Sequence, residues 1–295
     1  MSMNIAFCTD ERYSFPCGVS ITSIFENNKE EECKIYILTD GLEPETIEKF
    51  KRLEEEYRQK IEIINIGNKL FDNLKVCDRF PKSIYYRFLL PQLLNEEKII
   101  YLDCDIIVTS SLKELWNTDI KDFACGAVED QMSDHIIIQN RTGLYKDYFN
   151  SGVLLMNLDY WRKNNIAKSI TEFILDNPDI CVYPDQDAMN FILYDKVKFL
   201  EYKYNYQEFF YEPKERIFLH KKKWANLIPD GSTPVVLHYT GYFKPWHRGC
   251  SHPYKKLFIK FKAMSPWQKE KIKSRYTLRW KIESIIRQIK YCIKY

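Results

Sequence analysis

Ile99-Ile100-Tyr101-Leu102-Asp103-Cys104-Asp105-Ile106-Ile107-Val108 is the stretch on which the reading of this chain turns. The apolar residues on either side read as a strand buried on both faces, as in parallel sheets. Residues two apart on a strand face the same way, roughly 6–7 Å apart. Asp103 and Asp105 therefore leave one face while Cys104 points to the other. Two carboxylates in so apolar a run cost free energy unless a cation or hydrogen bonds compensate them. A hard divalent ion is the natural partner; a strand-end cap beside an ordinary surface acid is the competing explanation.

Working outward, strand and helix signals alternate. Residues 4–9, 34–38 and 61–66 read as strands, with a helix between the second and third that aligns Ile47, Phe50, Leu53 and Tyr57 on one face. Residues 83–94 read as helical, with Pro91 kinking or ending the helix. Residues 124–128, 152–157 and 235–238 are further strands. Residues 166–175 and 185–194 are helices, the second with Asp185 as a plausible N-cap. This alternation predicts an α/β fold: a mostly parallel sheet with helices on both faces. Residues 202–232, rich in aromatics and charge but without a clean period, read as loops over the site.

The 295 residues suffice for one large α/β domain and an appendage, and 45% hydrophobic content implies a substantial core. The net charge of +3 hides an asymmetry: residues 251–295 hold 13 Lys/Arg against 2 Asp/Glu, a net of +11 that leaves −8 on the rest. An acidic body with a basic tail follows. In the tail, Ile282, Ile285, Ile286, Ile289 and Ile293 recur at helical spacing opposite Lys281, Arg287, Lys290 and Lys294. That is a basic amphipathic helix suited to an anionic membrane surface, with Trp267, Trp280 and Tyr291 as interfacial rings. A helix packed on the body is the alternative. The acidic body argues against a nucleic-acid partner.

The nine cysteines are scattered and form no C-x-x-C pair, so they suggest neither a zinc ribbon nor a disulfide framework. Cys8 and Cys104 read as small core residues in a reducing compartment. The N-terminus lacks a secretory pattern and no run of 18 apolar residues occurs. The expectation is a cytoplasmic protein, peripheral on the inner face of the cell membrane.

With nine glycines and no G-x-G, the chain carries neither a dinucleotide fingerprint nor a Walker loop, and it lacks H-E-x-x-H and G-x-S-x-G. Any nucleotide phosphate must be held by a metal and scattered cations. His238, ending an apolar strand, is the second anchor; the usual role of such a histidine is structural. Joined to Asp103 and Asp105 it makes an O,O,N set that phosphate oxygens would complete around Mn²⁺ or Mg²⁺. Lys244, six residues on, is placed to neutralise a phosphate.

Seven segments taken together resemble glycosyltransferase family 8, the retaining enzymes of GT-A fold that include bacterial lipopolysaccharide galactosyltransferases. They are Ile5 to Asp10, Tyr85-Tyr86-Arg87-Phe88, Tyr101 to Asp105, Leu112 to Trp116, Phe149 to Asn157, Asp185 to Asn190 and His238 to Trp246. The likeness spans residues 3–250 and implies a catalytic domain over 1–250 with 251–295 as a separate basic segment. It implies that Asp103, Asp105 and His238 hold Mn²⁺ against the diphosphate of a UDP-sugar. Asp10 would contact uracil, with Tyr13 stacked on it; Arg87 would lie near the donor sugar and phosphates. Gly241 and Lys244 would contact the diphosphate, and Cys8 and Cys104 belong to the same donor-binding set. Asp130, Asn150, Asp185 and Gln186 would line the donor sugar and acceptor, with Gln186, Asp130 and Asp185 nearest the chemistry.

The implied reaction is transfer of galactose or glucose from UDP to a hydroxyl of a glycan or lipid-linked acceptor, with retention. The resemblance puts Gln186 where retention normally asks for a nucleophilic carboxylate. An amide is a poor nucleophile, so attack on the same face as the departing UDP is the expectation. A non-catalytic nucleotide-sugar-binding protein and a glycogenin-like self-glucosylating enzyme are the alternatives.

Overall fold

The computed structural model of the chain describes residues 2–67, 71–74, 76, 81–131, 143, 148–207, 234–242 and 244–272. Nine strands are defined among them: β1 (Met3–Cys8), β2 (Cys33–Thr39), β3 (Lys60–Asn65), β4 (Lys98–Leu102), β5 (Ile106–Val108), β6 (Cys125–Glu129), β7 (Phe149–Asn157), β8 (Val197–Phe199) and β9 (Val236–His238). The α-helices are α1 (Glu11–Asn27), α2 (Pro44–Tyr57), α3 (Leu90–Leu93), α4 (Lys113–Trp116), α5 (Leu158–Lys163), α6 (Ile166–Asp176), α7 (Pro184–Ile192) and α8 (Lys255–Met264).

Seven strands form one sheet in the order β3-β2-β1-β4-β7-β6-β8. The first four are mutually parallel, β7 runs antiparallel to β4 and β6, and β8 is parallel to β6. The α/β expectation therefore holds, with one reversed strand near the centre. Period-two alternation divides the strand residues between two cores. Ile5, Phe7, Ile35, Ile37, Ile100 and Leu102 pack toward α1 and α2. Ala6, Cys8, Tyr36, Leu38, Ile99 and Tyr101 pack toward α5, α6 and α7. At one edge, β3 leaves part of each face exposed, at Lys60 and Glu62 on one side and Asn65 on the other.

The run 99–108 is not one strand. β4 ends at Leu102, and β5 pairs with β9 in a separate two-stranded sheet. Asp103-Cys104-Asp105 is the turn between them. Strand alternation is thus not what brings the two acids together. The register of the small sheet does more, setting Ile106 opposite His238. The Tyr239 N–H donates to the Asp105 carbonyl at 3.0 Å, and the Asp103 N–H donates to the Gly152 carbonyl at 2.8 Å. The turn is stitched to β7 on one side and to the β9 exit on the other.

Two local expectations need correction. Residues 82–89 form a 3-10 helix, and Pro91 sits in the first turn of α3 instead of ending a helix. That position suits proline, whose missing N–H would be unsatisfied there anyway. Asp185 is not the N-cap of α7: Tyr183 is, with Pro184 after it. The cap N–H is instead met by the Asp187 carboxylate at 2.8 Å.

The basic segment begins as part of the body. Phe258 and Phe261 of α8 pack with Val19 of α1 and with Ile107 and Leu237. Trp267, read above as an interfacial ring, is only 1% exposed and lies 4.9 Å from the Phe50 ring. Gly18 makes room for it, since a β-carbon there would fall 2.1 Å from the indole. The amphipathic stretch 276–295 and most of the loop 202–232 lie outside the described residues. Among the described residues no helix is long and apolar enough to cross a membrane.

Candidate active site

The site gathers at the carboxyl ends of β1 and β4, the crevice where open α/β sheets bind ligands, together with the start of β7, the end of β9 and the N-terminus of α7. Among the described residues, Asp103, Asp105 and His238 bring one ligand atom each to within 4.8 Å of one another. Each carboxylate has one oxygen committed and one turned inward. Asp103 Oδ1 accepts from the Tyr101 hydroxyl at 2.7 Å and from Arg87 Nη2 at 3.0 Å, while Oδ2 lies 3.9 Å from His238 Nε2. Asp105 Oδ2 accepts from Lys244 Nζ at 2.7 Å, while Oδ1 lies 3.2 Å from His238 Nε2. Burial alone would raise the Asp105 carboxyl, but Lys244 and His238 outweigh it and hold it below the usual carboxylate range. Two carboxylate oxygens and an imidazole nitrogen suit Mn²⁺ or Mg²⁺ completed by phosphate oxygens, so the residues fit the ion that the sequence implied.

Gly152 makes the convergence possible. It lies inside β7, not at a bend, and a β-carbon there would fall 2.2 Å from His238 Cε1 and 2.7 Å from Asp103 Oδ2. Glycine here buys proximity of two ligands, not a turn.

Arg87 is the buried organiser, 2% exposed. Its Nε donates to the Ile84 carbonyl at 2.9 Å and Nη1 to the Ser151 carbonyl at 2.7 Å. Nη2 pairs with Asp103 and, at 3.4 Å, with Asp185, and the guanidinium lies 4.1 Å from the Tyr101 ring centre. Burial opposes its charge, but Tyr101, Asp185 and Asp103 outweigh that and hold it more firmly protonated. Burial pushes Asp185 above the ordinary carboxylate range; Arg87 opposes the shift and Asp103 adds to it.

Asp130, Asn150 and Gln186 form one buried network. Asn150 Nδ2 donates to Asp130 Oδ2 at 3.0 Å and to Gln186 Oε1 at 3.2 Å. Gln186 Nε2 donates to Asp130 Oδ2 at 3.1 Å and to the Tyr148 hydroxyl at 3.2 Å. Ser151 contributes its N–H to Gln186 Oε1 at 3.0 Å and its hydroxyl to Asp185 Oδ2 at 3.2 Å. Asn190 of α7 accepts from the Phe149 N–H and donates to the Phe149 carbonyl, so its amide pins the helix to β7.

Asp10 caps α1, accepting from the Tyr13 N–H at 3.0 Å, and pairs with Arg12 at 2.9 Å. Tyr13 stands edge-on to Trp246, 6.0 Å between ring centres. Gly241 is half-buried in the bend between His238 and Lys244. The Cys8 and Cys104 side chains are buried, and Cys104 Sγ donates to the Cys8 carbonyl at 3.4 Å. Any contact of these two with a ligand falls to their main chain. Sequence reading overlooked Asn205, whose Oδ1 lies 2.9 Å from His238 Nδ1, along with Tyr101, Ser151 and Tyr148. Tyr101 and Ser151 sat inside quoted motifs; Asn205 carries no local signal.

Comparison with known proteins identifies the family and the fold. The model of glycosyl transferase family 8 matches residues 4–250. General stress protein A of Bacillus subtilis is 30% identical over 90% of this chain and 94% of its own length. The lipopolysaccharide 1,3-galactosyltransferase of Salmonella typhimurium is 29% identical over 90% of this chain and 79% of its own. The crystal structure of galactosyltransferase LgtC in complex with donor and acceptor sugar analogues superposes with a TM-score of 0.80 at 26% identity, covering 89% of this chain and 96% of that one. The sheet is accordingly that of the GT-A fold. On these grounds the chain belongs to glycosyl transferase family 8.

Proposed function

We propose that this protein is a divalent-metal-dependent, retaining hexosyltransferase that moves galactose or glucose from UDP to a hydroxyl of a glycan or lipid-linked acceptor. The observation that carries the reading is the inward set of Asp103 Oδ2, Asp105 Oδ1 and His238 Nε2 beside a Gln186 amide held in place. The names of the Salmonella galactosyltransferase and of an Escherichia coli lipopolysaccharide 1,2-glucosyltransferase, 30% identical over 90% of this chain, support a hexose donor.

A bound Mn²⁺ or Mg²⁺ supplies Lewis-acid stabilisation of the charge that grows on the departing diphosphate, worth several kcal/mol. Arg87 and Tyr101 hold Asp103, and Lys244 holds Asp105, so neither carboxylate has to reorganise as that charge develops. Lys244 is within reach to share its charge between Asp105 and a phosphate oxygen. Gln186 Nε2 donates to Asp130, and Oε1 accepts from the Ser151 N–H and from Asn150 Nδ2, so both oxygen lone pairs are engaged and neither is suited to attack on the anomeric carbon. Same-face substitution fits this arrangement. The acceptor oxygen bonds to the anomeric carbon as the sugar–phosphate bond breaks, and the acceptor proton passes to the departing phosphate oxygen. Asp130 and Asp185 bind sugar hydroxyls.

The experiment is UDP release from UDP-galactose and UDP-glucose with Mn²⁺ and with a chelator, and NMR of the product's anomeric configuration. Metal-dependent turnover that is lost in Asp103→Asn supports the reading. Full turnover in chelator, or an inverted product, sinks it. Asp130→Asn or Asp185→Asn trapping a glycosyl-enzyme while Gln186→Ala turns over normally would replace same-face attack by a covalent route.

The proposal extends to an acceptor at the inner membrane face, where basic residues near anionic lipid contribute about 1 kcal/mol each. Within the basic segment 251–295, Phe258, Phe261 and Trp267 are buried in the body, so residues 273–295 are the part proposed to reach lipid. Flotation of the full chain and of residues 1–272 with phosphatidylserine vesicles tests it; equal binding removes the tail's role.

A further inference from the structure

We propose that Asn205 is a positioning residue: it holds His238 in the tautomer that leaves Nε2 bare for the ion, and it ties the metal ligands to the amides of Asn150 and Gln186. This rests on the reading of Asp103, Asp105 and His238 as a divalent-cation site.

The Gly152 main-chain N–H can only donate, and it points at the Asn150 side chain at 3.0 Å. That atom is therefore Oδ1. The Ser151 N–H fixes Gln186 Oε1 in the same way. Asn150 Oδ1 has a second neighbour, the Asn205 amide at 2.8 Å, which must also donate and is therefore Nδ2. Asn205 Oδ1 is left facing His238 Nδ1 at 2.9 Å. An amide oxygen can only accept, so Nδ1 carries a proton, and in the neutral ring Nε2 is the nitrogen that presents a lone pair.

That outcome runs against the immediate surroundings of the ring. Nε2 looks onto Asp105 Oδ1 at 3.2 Å and Asp103 Oδ2 at 3.9 Å. Two anionic oxygens favour a proton on Nε2, which would close the site with a His238–Asp105 hydrogen bond. Asn205, 0% exposed, accepts from Nδ1 and so reserves Nε2 as the nitrogen that trades its proton for a cation. Three electron-rich atoms are then held face to face, an arrangement that a cation satisfies. The donors of the relay all point away from that cation: His238 Nδ1–H to Asn205, Asn205 Nδ2–H to Asn150, and Asn150 Nδ2–H to Asp130 Oδ2. Positive charge at the metal end polarises the whole row toward the Asp130 carboxylate. Metal occupancy and the orientation of the sugar-facing amides are one coupled unit, with Asn205 as the link.

The test is titration of Mn²⁺ alone into the full-length wild type, Asn205→Leu and Asn205→Asp, followed by electron paramagnetic resonance. Alongside it runs ¹⁵N NMR of the metal-free histidine rings, with His238 assigned by its loss in His238→Gln. Asn205→Leu is expected to weaken Mn²⁺ binding about 10–100-fold and to move the ring proton to Nε2. Asn205→Asp keeps an acceptor for Nδ1 and is expected to bind within a few-fold of wild type. A wild type that takes up no Mn²⁺ defeats the metal site itself. A wild type that binds Mn²⁺, with a folded Asn205→Leu binding equally well, overturns the role of Asn205 alone. If Asn205→Leu does not fold, the wild-type spectrum and Asn205→Asp decide: a His238 whose Nδ1 carries no proton, or a folded Asn205→Asp weakened tenfold or more, overturns it.

Discussion

Gly152 and His238 touch so closely that a β-carbon on the first would lie 2.2 Å from Cε1 of the second. Neither neighbour can yield: His238 is held by Asn205, and Asp103, 2.7 Å from the same point, is clamped by Arg87 and Tyr101. One methyl group on β7 therefore acts on two of the proposed metal ligands at once. Gly152→Ala is expected to reduce turnover by about 100-fold, the scale of a 1 Å misplacement at a reacting centre. Overpacking of this kind costs about 1–3 kcal/mol, so the protein should still melt cooperatively a few degrees below wild type. Turnover, Mn²⁺ affinity and thermal melting measured together check this. Unchanged Mn²⁺ affinity in Gly152→Ala would show that the contact does not constrain the site.

Arg87 is buried against Asp103 and Asp185, and removing it leaves charge without compensation. Arg87→Ala is expected to cost about 3–5 kcal/mol of stability, the usual result of breaking one side of a buried pair. Arg87→Lys keeps the charge but loses the planar stack on Tyr101 and the simultaneous bonds to Ser151 and Asp103. It should fall between wild type and Arg87→Ala. Denaturant unfolding of all three proteins supplies the comparison; a loss below 1 kcal/mol in Arg87→Ala would mean that water replaces the guanidinium at little cost.

Trp267 fills the hollow above Gly18 and meets Phe50, joining the C-terminal segment to α1 and α2. Lys49 and Glu270 add an ion pair at 2.9 Å across the same seam. Trp267→Ala should cost about 3–5 kcal/mol as a large core deletion. A chain cut after residue 250 loses Phe258, Phe261 and Trp267 together and is expected not to melt cooperatively, whereas residues 1–272 should melt close to the full chain. Calorimetry of the two truncations decides the matter, and a cooperative 1–250 protein would show the segment to be dispensable.

Much of this was legible in the sequence because the relevant signals are local. β1 and β2 read as strands because Ile5-Ala6-Phe7 and Ile35-Tyr36-Ile37-Leu38 are buried on both faces and need no alternation to mark them. The meeting of Asp103, Asp105 and His238 was reached for a reason that was partly wrong: strand alternation was invoked, but the turn and the pairing of Ile106 with His238 bring it about. Trp267 shows the limit in the other direction. An aromatic ring beside lysines suits a membrane interface and a protein core equally well, and only Gly18, some 250 residues earlier in the chain, settles which. Asn205 was invisible because its importance depends on Asn150 and His238, each more than 30 residues away. Asp185 was misread as a cap because acids favour the first helical turn generally; burial beside Arg87 is what sets its chemistry.

His252 gives the molecule an acid-sensitive joint outside the proposed metal site. It is 8% exposed, its Nδ1 accepts the Tyr254 N–H at 3.2 Å, and its ring stands 4.6 Å from that of Tyr239. Burial, reinforced by the nearby Lys244 charge, lowers its pKa from 6.5 to about 4. The folded value lies below the unfolded one, so between those limits the unfolded chain binds the extra proton. Stability associated with this group is present in full above about pH 6.5 and drains away as pH falls toward 4. At 1.36 kcal/mol per pKa unit the loss is on the order of a few kcal/mol. His252→Gln offers a similar acceptor to Tyr254 without titrating, so its stability should fall less steeply than that of wild type across this window. Carboxylates elsewhere respond to acid in both proteins and cancel in the difference between the two curves. Urea unfolding of wild type and His252→Gln at half-unit steps from pH 7 to pH 4 measures that difference; curves that stay parallel throughout would remove His252 as the source.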